Sequence, residues 1–303
     1  MRPLGVAAIL GLCIGIAQPA AAAVSVSERD DAAGMAAANA VTTDPALARL
    51  VPASVRQKGV LVIGAEMQQP PEDFYAANGQ TPIGFEVDLA RAIGRLLGLR
   101  VDYRTMAFDA LITALKSGRV DATMSAMNDT KPREQAISFV DYYNAGITML
   151  VQKGNPHQIT GPDSLCGLSV SAALGTTQQV FAETQSKKCT AAGKPPVTLV
   201  IGSSTAGQEA ALRTGRVATI LDDTPTALYT AQIAGNGQYF EPVNYPPING
   251  GPYGIGIQKS DTQLRTAIQQ ALQKLISDGT YDKILAAWGM SAGAVKQATV
   301  DAG

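Results

Sequence analysis

Apolar positions along the chain alternate between two periods. Val60 to Ile63, closed by Gly64, is a short continuous apolar run, the pattern of a strand buried on both faces of a parallel sheet. From Val87 to Leu97 the period becomes helical, with Leu89, Ile93, Leu96 and Leu97 on one face and Gly98 as the stop. Arg100 to Tyr103 reads as the next strand. Asp109 is expected to cap a helix that buries Leu111, Ile112 and Leu115. After Gly118 a strand runs from Val120 to Met124, and two more follow, Ile137 to Val140 and Ile147 to Val151. Asn78-Gly79 is a hairpin signal that pairs Phe74-Tyr75 with Pro82-Ile83.

The alternation restarts after Gly154-Asn155-Pro156 and Gly161-Pro162. Strands are expected at Leu168 to Ser171, Val197 to Ile201 and Val217 to Leu221, with helices at 178–184, 208–214 and 226–234 between and after them. Gly250-Gly251-Pro252 marks a second crossover into a strand from Tyr253 to Ile257. Helices at 262–276 and 281–288 close the pattern, Trp288 lying in the core. Strand–helix alternation means an α/β fold with a parallel sheet. The last helices need a partner, and the simplest one is the first unit. The middle then becomes an inserted lobe, giving a two-lobed clamshell with a two-strand hinge. The expected division is a leader at 1–23 and a flexible segment at 24–57, ending in a short helix at Pro45 to Leu50. Lobe 1 covers 58–150 and returns at 251–290, lobe 2 covers 151–250, and 291–303 forms a tail.

Two polar clusters end similar units. Ala114-Leu115-Lys116-Ser117-Gly118-Arg119-Val120 leads into Ser125, Asn128, Asp129, Thr130 and Arg133, while Ala211-Leu212-Arg213-Thr214-Gly215-Arg216-Val217 leads into Asp222 and Asp223. An Arg fork suits a carboxylate and paired acids suit an ammonium, so such a cleft fits an amino acid. Gly175-Thr176-Thr177 opens a helix, where backbone donors gather and an anion can sit. The same residues also serve as plain helix capping.

The chain has 303 residues, 46% hydrophobic and 16% charged, with a formal net charge of −1. That balance leaves no electrostatic footprint for nucleic acid. The single histidine, His157, reads as solvated surface and gives no basis for a His-based metal site or catalytic triad. Residues 1 to 23 have Arg2, an apolar run from Leu4 and a small-residue tract, the layout of a secretory signal cleaved around Ala21 to Ala23. Leu10-Gly11-Leu12-Cys13 loosely resembles a lipoprotein box, but Leu12 stands where a small residue is wanted. Simple cleavage is expected, and with it a periplasmic or extracellular location. Cys166 and Cys189 remain, an even pair that reads as a disulfide in an exported chain; two buried thiols and a metal site are the alternatives.

From about Gly59 to Gly289 the chain resembles the polar-amino-acid family of solute-binding proteins of ABC importers. The motifs are Val-Ile-Gly-Ala-Glu (62–66), Gly-Phe-Glu-Val-Asp-Leu-Ala-Arg-Ala-Ile (84–93), Phe-Asp-Ala-Leu-Ile-Thr-Ala-Leu-Lys-Ser-Gly (108–118) and Thr-Lys-Pro-Arg-Glu (130–134). Gly-Thr-Thr (175–177), Pro-Tyr-Gly-Ile-Gly-Ile (252–257) and Asp-Gly-Thr-Tyr-Asp-Lys-Ile (278–284) follow in order. The resemblance implies a type II periplasmic-binding-protein clamshell, a monomer, that hands an amino acid to a membrane permease without cofactor or metal. It implies that Arg133 clamps the α-carboxylate with help from Thr177, and that Asp223, with Asp222 as its rival, takes the α-ammonium. It places Ser125 and Asn128 at hydrogen-bonding positions, Phe108 as an aromatic wall, and Glu66 where relatives meet a distal cation. Gln69 stands where many relatives have a stacking Tyr. Leu165-Cys166-Gly167 with Lys188-Cys189 looks like a subgroup with a bridged second lobe.

Basic or polar amino acids are therefore the expected ligands. The competing reading is an exported cyclohexadienyl dehydratase on the same fold, with Glu66 or Asp223 as its acid. A sensor module is a third, acting only through a separate receptor.

Overall fold

The computed structural model describes residues 26–303; the expected leader and Cys13 lie outside them. Three helices come first, α1 (Val26–Asn39), α2 (Pro45–Leu50) and α3 (Ala53–Lys58), followed by β1 (Val60–Ala65). A small sheet of β2 (Gln68–Gln69), β3 (Asp73–Tyr75) and β4 (Pro82–Ile83) comes next, with Phe74 opposite Ile83 and Tyr75 opposite Pro82, as the hairpin signal implied. Then come α4 (Phe85–Leu96), β5 (Arg100–Thr105), α5 (Leu111–Lys116), β6 (Ala122–Thr123), α6 (Lys131–Glu134) and β7 (Ser138–Gln152). The second lobe holds β8 (Ser169–Ala173), α7 (Thr177–Ala191), β9 (Thr198–Gly202), α8 (Thr205–Arg213), β10 (Thr219–Asp223), α9 (Thr224–Ile233) and β11 (Phe240–Pro242). Strand β12 (Ile248–Ile257) returns to lobe 1, where α10 (Thr262–Ser277) and α11 (Thr280–Ala287) pack.

The main sheet runs in the order β5-β1-β6-β12-β7-β10-β8-β9, with β11 paired to β7. Its lobe 1 part pairs β1 in parallel with β5 and β6; its lobe 2 part pairs β8 in parallel with β9 and β10. The two parts meet only through β7 and β12. Strand β7 pairs with β12 through its first half and with β10 from Ile147 to Leu150. The register between β7 and β12 slips between Ile248 and Gly251, where the chain recrosses. Gly146 lies against the returning strand; a Cβ there would meet Pro247 at 2.9 Å and the Ile248 carbonyl at 3.0 Å. These two strands form the hinge, and the expected boundaries at 150 and 250 fall inside them.

Apolar clusters fill both faces of each half. Leu89, Ile93, Tyr142, Tyr253, Leu272, Ile284 and Trp288 lie in the largest. Phe108, Leu115 and Phe139 cover the opposite face of lobe 1, and lobe 2 has one cluster per face.

Three expectations differ from the fold. The strands expected at 137–140 and 147–151 are one strand, because Tyr142 and Tyr143 between them are buried and stay extended. Asp109 caps nothing; it lies within a 3₁₀ turn, Phe108–Ala110, and α5 starts after it. The segment at 24–57 was expected to be flexible up to a short helix at Pro45 to Leu50; that helix is present as α2, but Val26–Asn39 and Ala53–Lys58 are helical too, and α1 packs on α4 and α11. Small side chains make that approach possible, since a Cβ on Gly34 would sit 2.2 Å from the Asp88 carboxylate and 2.8 Å from the Trp288 indole nitrogen. The tail, for which the sequence offered no reading, lies along β7, with isolated bridges from Tyr143 to Ala294 and from Val140 to Val300.

Candidate functional site

The carboxyl ends of β1, β6 and β10 face each other across the hinge, as ligand sites in open α/β sheets do. Turn α6 carries Arg133 from lobe 1. Its guanidinium donates to the Asn128 carbonyl at 2.8 Å within the turn and to the Gly175 carbonyl of lobe 2 at 2.9 Å, and it lies 5.4 Å from the Phe108 ring centroid. Burial lowers its pKa, while the nearby charge of Asp223 and then Asp129 raises it. From lobe 2, the first turn of α7 brings Thr177, whose hydroxyl donates to the Asn128 side chain at 2.9 Å. Thr176 caps that helix by accepting from the Gln179 amide. Gly175 is required here twice over. Its φ is +77°, and a Cβ would stand 3.1 Å from Asp109 across the cleft.

Asp223 ends β10 and is buried. Burial pushes its carboxyl up to about 7, while Gln178, Tyr253 and the Arg133 charge pull the other way. Its Oδ1 has no hydrogen-bond partner among the described residues. Asp222 accepts from the Asp223 amide and faces a neighbouring cavity. That cavity, about 20 Å³, is lined by Glu66 and Gln69 from lobe 1 and by Gln178, Ser204, Gln208 and Asp222 from lobe 2, among others. It holds about one water, so an amino acid enters only when the lobes part. Glu66 is half-buried; burial raises its carboxyl, the Phe108 amide lowers it, and Asp109 raises it further.

The structure thus gathers Phe108, Asn128, Arg133, Thr177 and Asp223 at the closed contact between the lobes, with Glu66 in the adjoining cavity. Ser125 differs. It is fully buried in lobe 1, its hydroxyl donating to Asp73 at 2.7 Å and accepting from the Glu66 amide at 2.9 Å. It therefore supports Glu66 rather than lining the cavity. Sequence reasoning missed three buried acids behind the site, Glu72, Asp73 and Glu86, which the fold alone collects. Glu72 accepts from Thr226 of lobe 2 at 3.0 Å, and Glu86 from the Tyr142 hydroxyl and the Ala126 amide. Burial drives Glu72 and Asp73 well above the usual carboxylate range, and Glu86 to about 7. Gln178 and Gln208 were missed too, being ordinary helix residues by composition. Cys166 and Cys189 form a disulfide between the entry to β8 and the last turn of α7.

No helix among the described residues is long and apolar enough to cross a membrane. Residues 61–291 match the bacterial extracellular solute-binding proteins, family 3, and the chain belongs to that family. It is 28% identical to an arginine-binding protein of Corynebacterium glutamicum over 85% of this chain and 83% of that one. Among solved structures it resembles an ancestral arginine-binding protein bound to arginine, with TM-score 0.69, 33% identity and coverage of 76% of this chain and 98% of the other. It also resembles an ancestral amino-acid-binding protein described as a precursor of cyclohexadienyl dehydratase, with TM-score 0.70, 29% identity and coverage of 78% and 97%.

Proposed function

We propose that this protein is a periplasmic or extracellular receptor that closes on a basic amino acid and presents it, as a monomer, to the membrane permease of an ABC importer. The observation that carries the reading is the set of ionisable groups in the cleft. One guanidinium, Arg133, stands against Glu66, Asp222 and Asp223, with Glu72 at the lobe contact. Such a site matches a ligand with one carboxylate and two cationic groups. On opening, Arg133 loses the Gly175 carbonyl and its free Nη2 meets the ligand carboxylate. Thr177 and the first amides of α7 assist. Asp223, helped by Asp222, takes the α-ammonium, and Glu66 faces the distal cation. The arginine-binding names of two relatives support the same class.

The test is a thermal-shift screen of amino acids, ornithine, citrulline and polyamines, followed by calorimetry on Arg133→Ala. Removing one partner of a buried charge pair costs about 2–5 kcal/mol, so binding of the best ligand should weaken at least roughly thirtyfold. An Arg133→Ala protein that binds like the wild type sinks the assignment.

A second reading, elimination chemistry, rests on the relative described as a dehydratase precursor and on the raised carboxyl of Asp223. It needs aromatic product from prephenate or arogenate; none is expected.

A further inference from the structure

We propose that the segment from Ala294 to Asp301 is a strap that holds the Arg133 turn in position for the ligand carboxylate, with Asp301 as its anchoring residue. The proposal rests on the role given to Arg133 above. The family match covers residues 61–291, and the strap follows it in the chain.

The geometry starts at the sheet edge. In lobe 1 the first residues of β7 pair with β12 on one side, and β10 joins β7 only from Ile147 onward. The other side, from Ser138 to Tyr143, is an open edge, and open edges need a cover. The tail supplies it. The Asp141 amide donates to the Thr299 carbonyl at 3.0 Å, and the Thr299 hydroxyl donates to the Asp141 carboxylate at 2.8 Å. Asp301 accepts from the Phe139 amide at 2.7 Å and the Ser138 hydroxyl at 3.0 Å, and its own amide donates to the Phe139 carbonyl. Two glutamines of α10 fix the segment from behind: Gln273 accepts from the Ala298 amide and Gln269 donates to the Ala298 carbonyl.

Cover alone would explain stability. The contacts go further, because they bracket the site turn. Ser138 and Phe139 open β7, which α6 enters through Gln135, Ala136 and Ile137, so Asp301 pins the strand into which the Arg133 turn leads. At the incoming end the Gly303 amide donates to the Asp129 carboxylate at 3.1 Å, and Lys131 reaches the Asp301 carbonyl. Asp129 is the neighbour of Asn128, whose carbonyl takes one arm of the Arg133 fork and whose side chain meets Thr177. A guanidinium held by the carbonyl of its own turn keeps its aim only while that turn keeps its shape.

The experiment compares Asp301→Ala with Asp301→Asn, which keeps an acceptor for the Phe139 amide and offers a donor to Ser138. Each change is made in the wild type and in Arg133→Lys, which keeps the charge but loses the fork. Calorimetry with arginine as the probe is paired with amide exchange of residues 128–139, well below the melting transition. Asp301→Ala is expected to weaken arginine binding about three- to tenfold, the size of effect remote supporting residues have, and to speed exchange across 128–139. Asp301→Asn should restore most of both. In Arg133→Lys the further loss from Asp301→Ala should shrink below about twofold, since the two residues act through one contact. Unchanged affinity and exchange in Asp301→Ala overturn the strap, and so does an equal loss in both backgrounds. A wild type that fails to bind arginine, or an Arg133→Lys protein that binds it undiminished, sinks the reading of Arg133 and the positioning role with it. The exchange data then still report whether the tail orders the turn.

Discussion

Glu66 stands at the end of β1 with its amide fixed by Ser125 and its carboxyl in the cavity between the lobes. Its charge is what a distal ligand cation would meet, and a hydrogen bond to a charged group contributes about 1.5–3 kcal/mol. Glu66→Gln should therefore weaken arginine binding by roughly tenfold or more while leaving glutamine binding within about threefold. Calorimetry with both ligands checks this, and equal losses for the two would remove Glu66 from selectivity. Arg133, Thr177 and Asp223 stood out in the sequence because they belong to local motifs, and the fold brings all three to the contact between the lobes. The orientation of Ser125 was not readable there, because whether a hydroxyl points into a cleft or back into the lobe depends on Asp73, distant in sequence. Asp109 misled for a related reason: a good capping residue caps only if the helix starts beside it, and here a 3₁₀ turn comes first.

Helix α7 links the site to the disulfide. Its first turn holds Thr177 and its last holds Cys189, about 18 Å away at 1.5 Å per residue. Replacing both Cys166 and Cys189 with Ser frees a loop of sequence separation 23, worth about 3 kcal/mol in the chain-entropy account. At roughly 2–4 °C per kcal/mol, calorimetric melting should drop by several degrees while arginine affinity stays within about twofold. A large affinity loss without a melting change would refute the separation. Element types were legible from periodicity, since apolar runs and helical stripes are local. The continuity of β7 was not. Its midpoint, Asp141 to Gly146, is polar and aromatic by composition, and only pairing with β12 keeps it extended. Helix α1 was hidden likewise, because an Ala-rich segment carries no wide apolar stripe and gains its burial from Gly34 resting on Asp88 and Trp288.

Over the whole molecule, burial raises Glu86, Asp88, Asp129 and Asp223 each to about 7. Their unfolded values lie near 4, so between about pH 4 and pH 7 the folded protein holds more protons than the unfolded chain. Stability then falls as pH rises through that window. The favourable contribution is complete below pH 4 and gone above pH 7. The melting temperature of the ligand-free protein should decline from about pH 5 to pH 8, and a melting profile that rises across the range would contradict the burial of these acids. The sequence by itself determined the alternating elements and the two crossovers, because each is written in local spacing, and it singled out the motif residues proposed for the cleft. Tertiary structure decided which acids lose their water, which aspartate faces the cavity, and where the tail and first helices rest. Those outcomes depend on desolvation and on contacts between residues far apart in the chain, which no local pattern records.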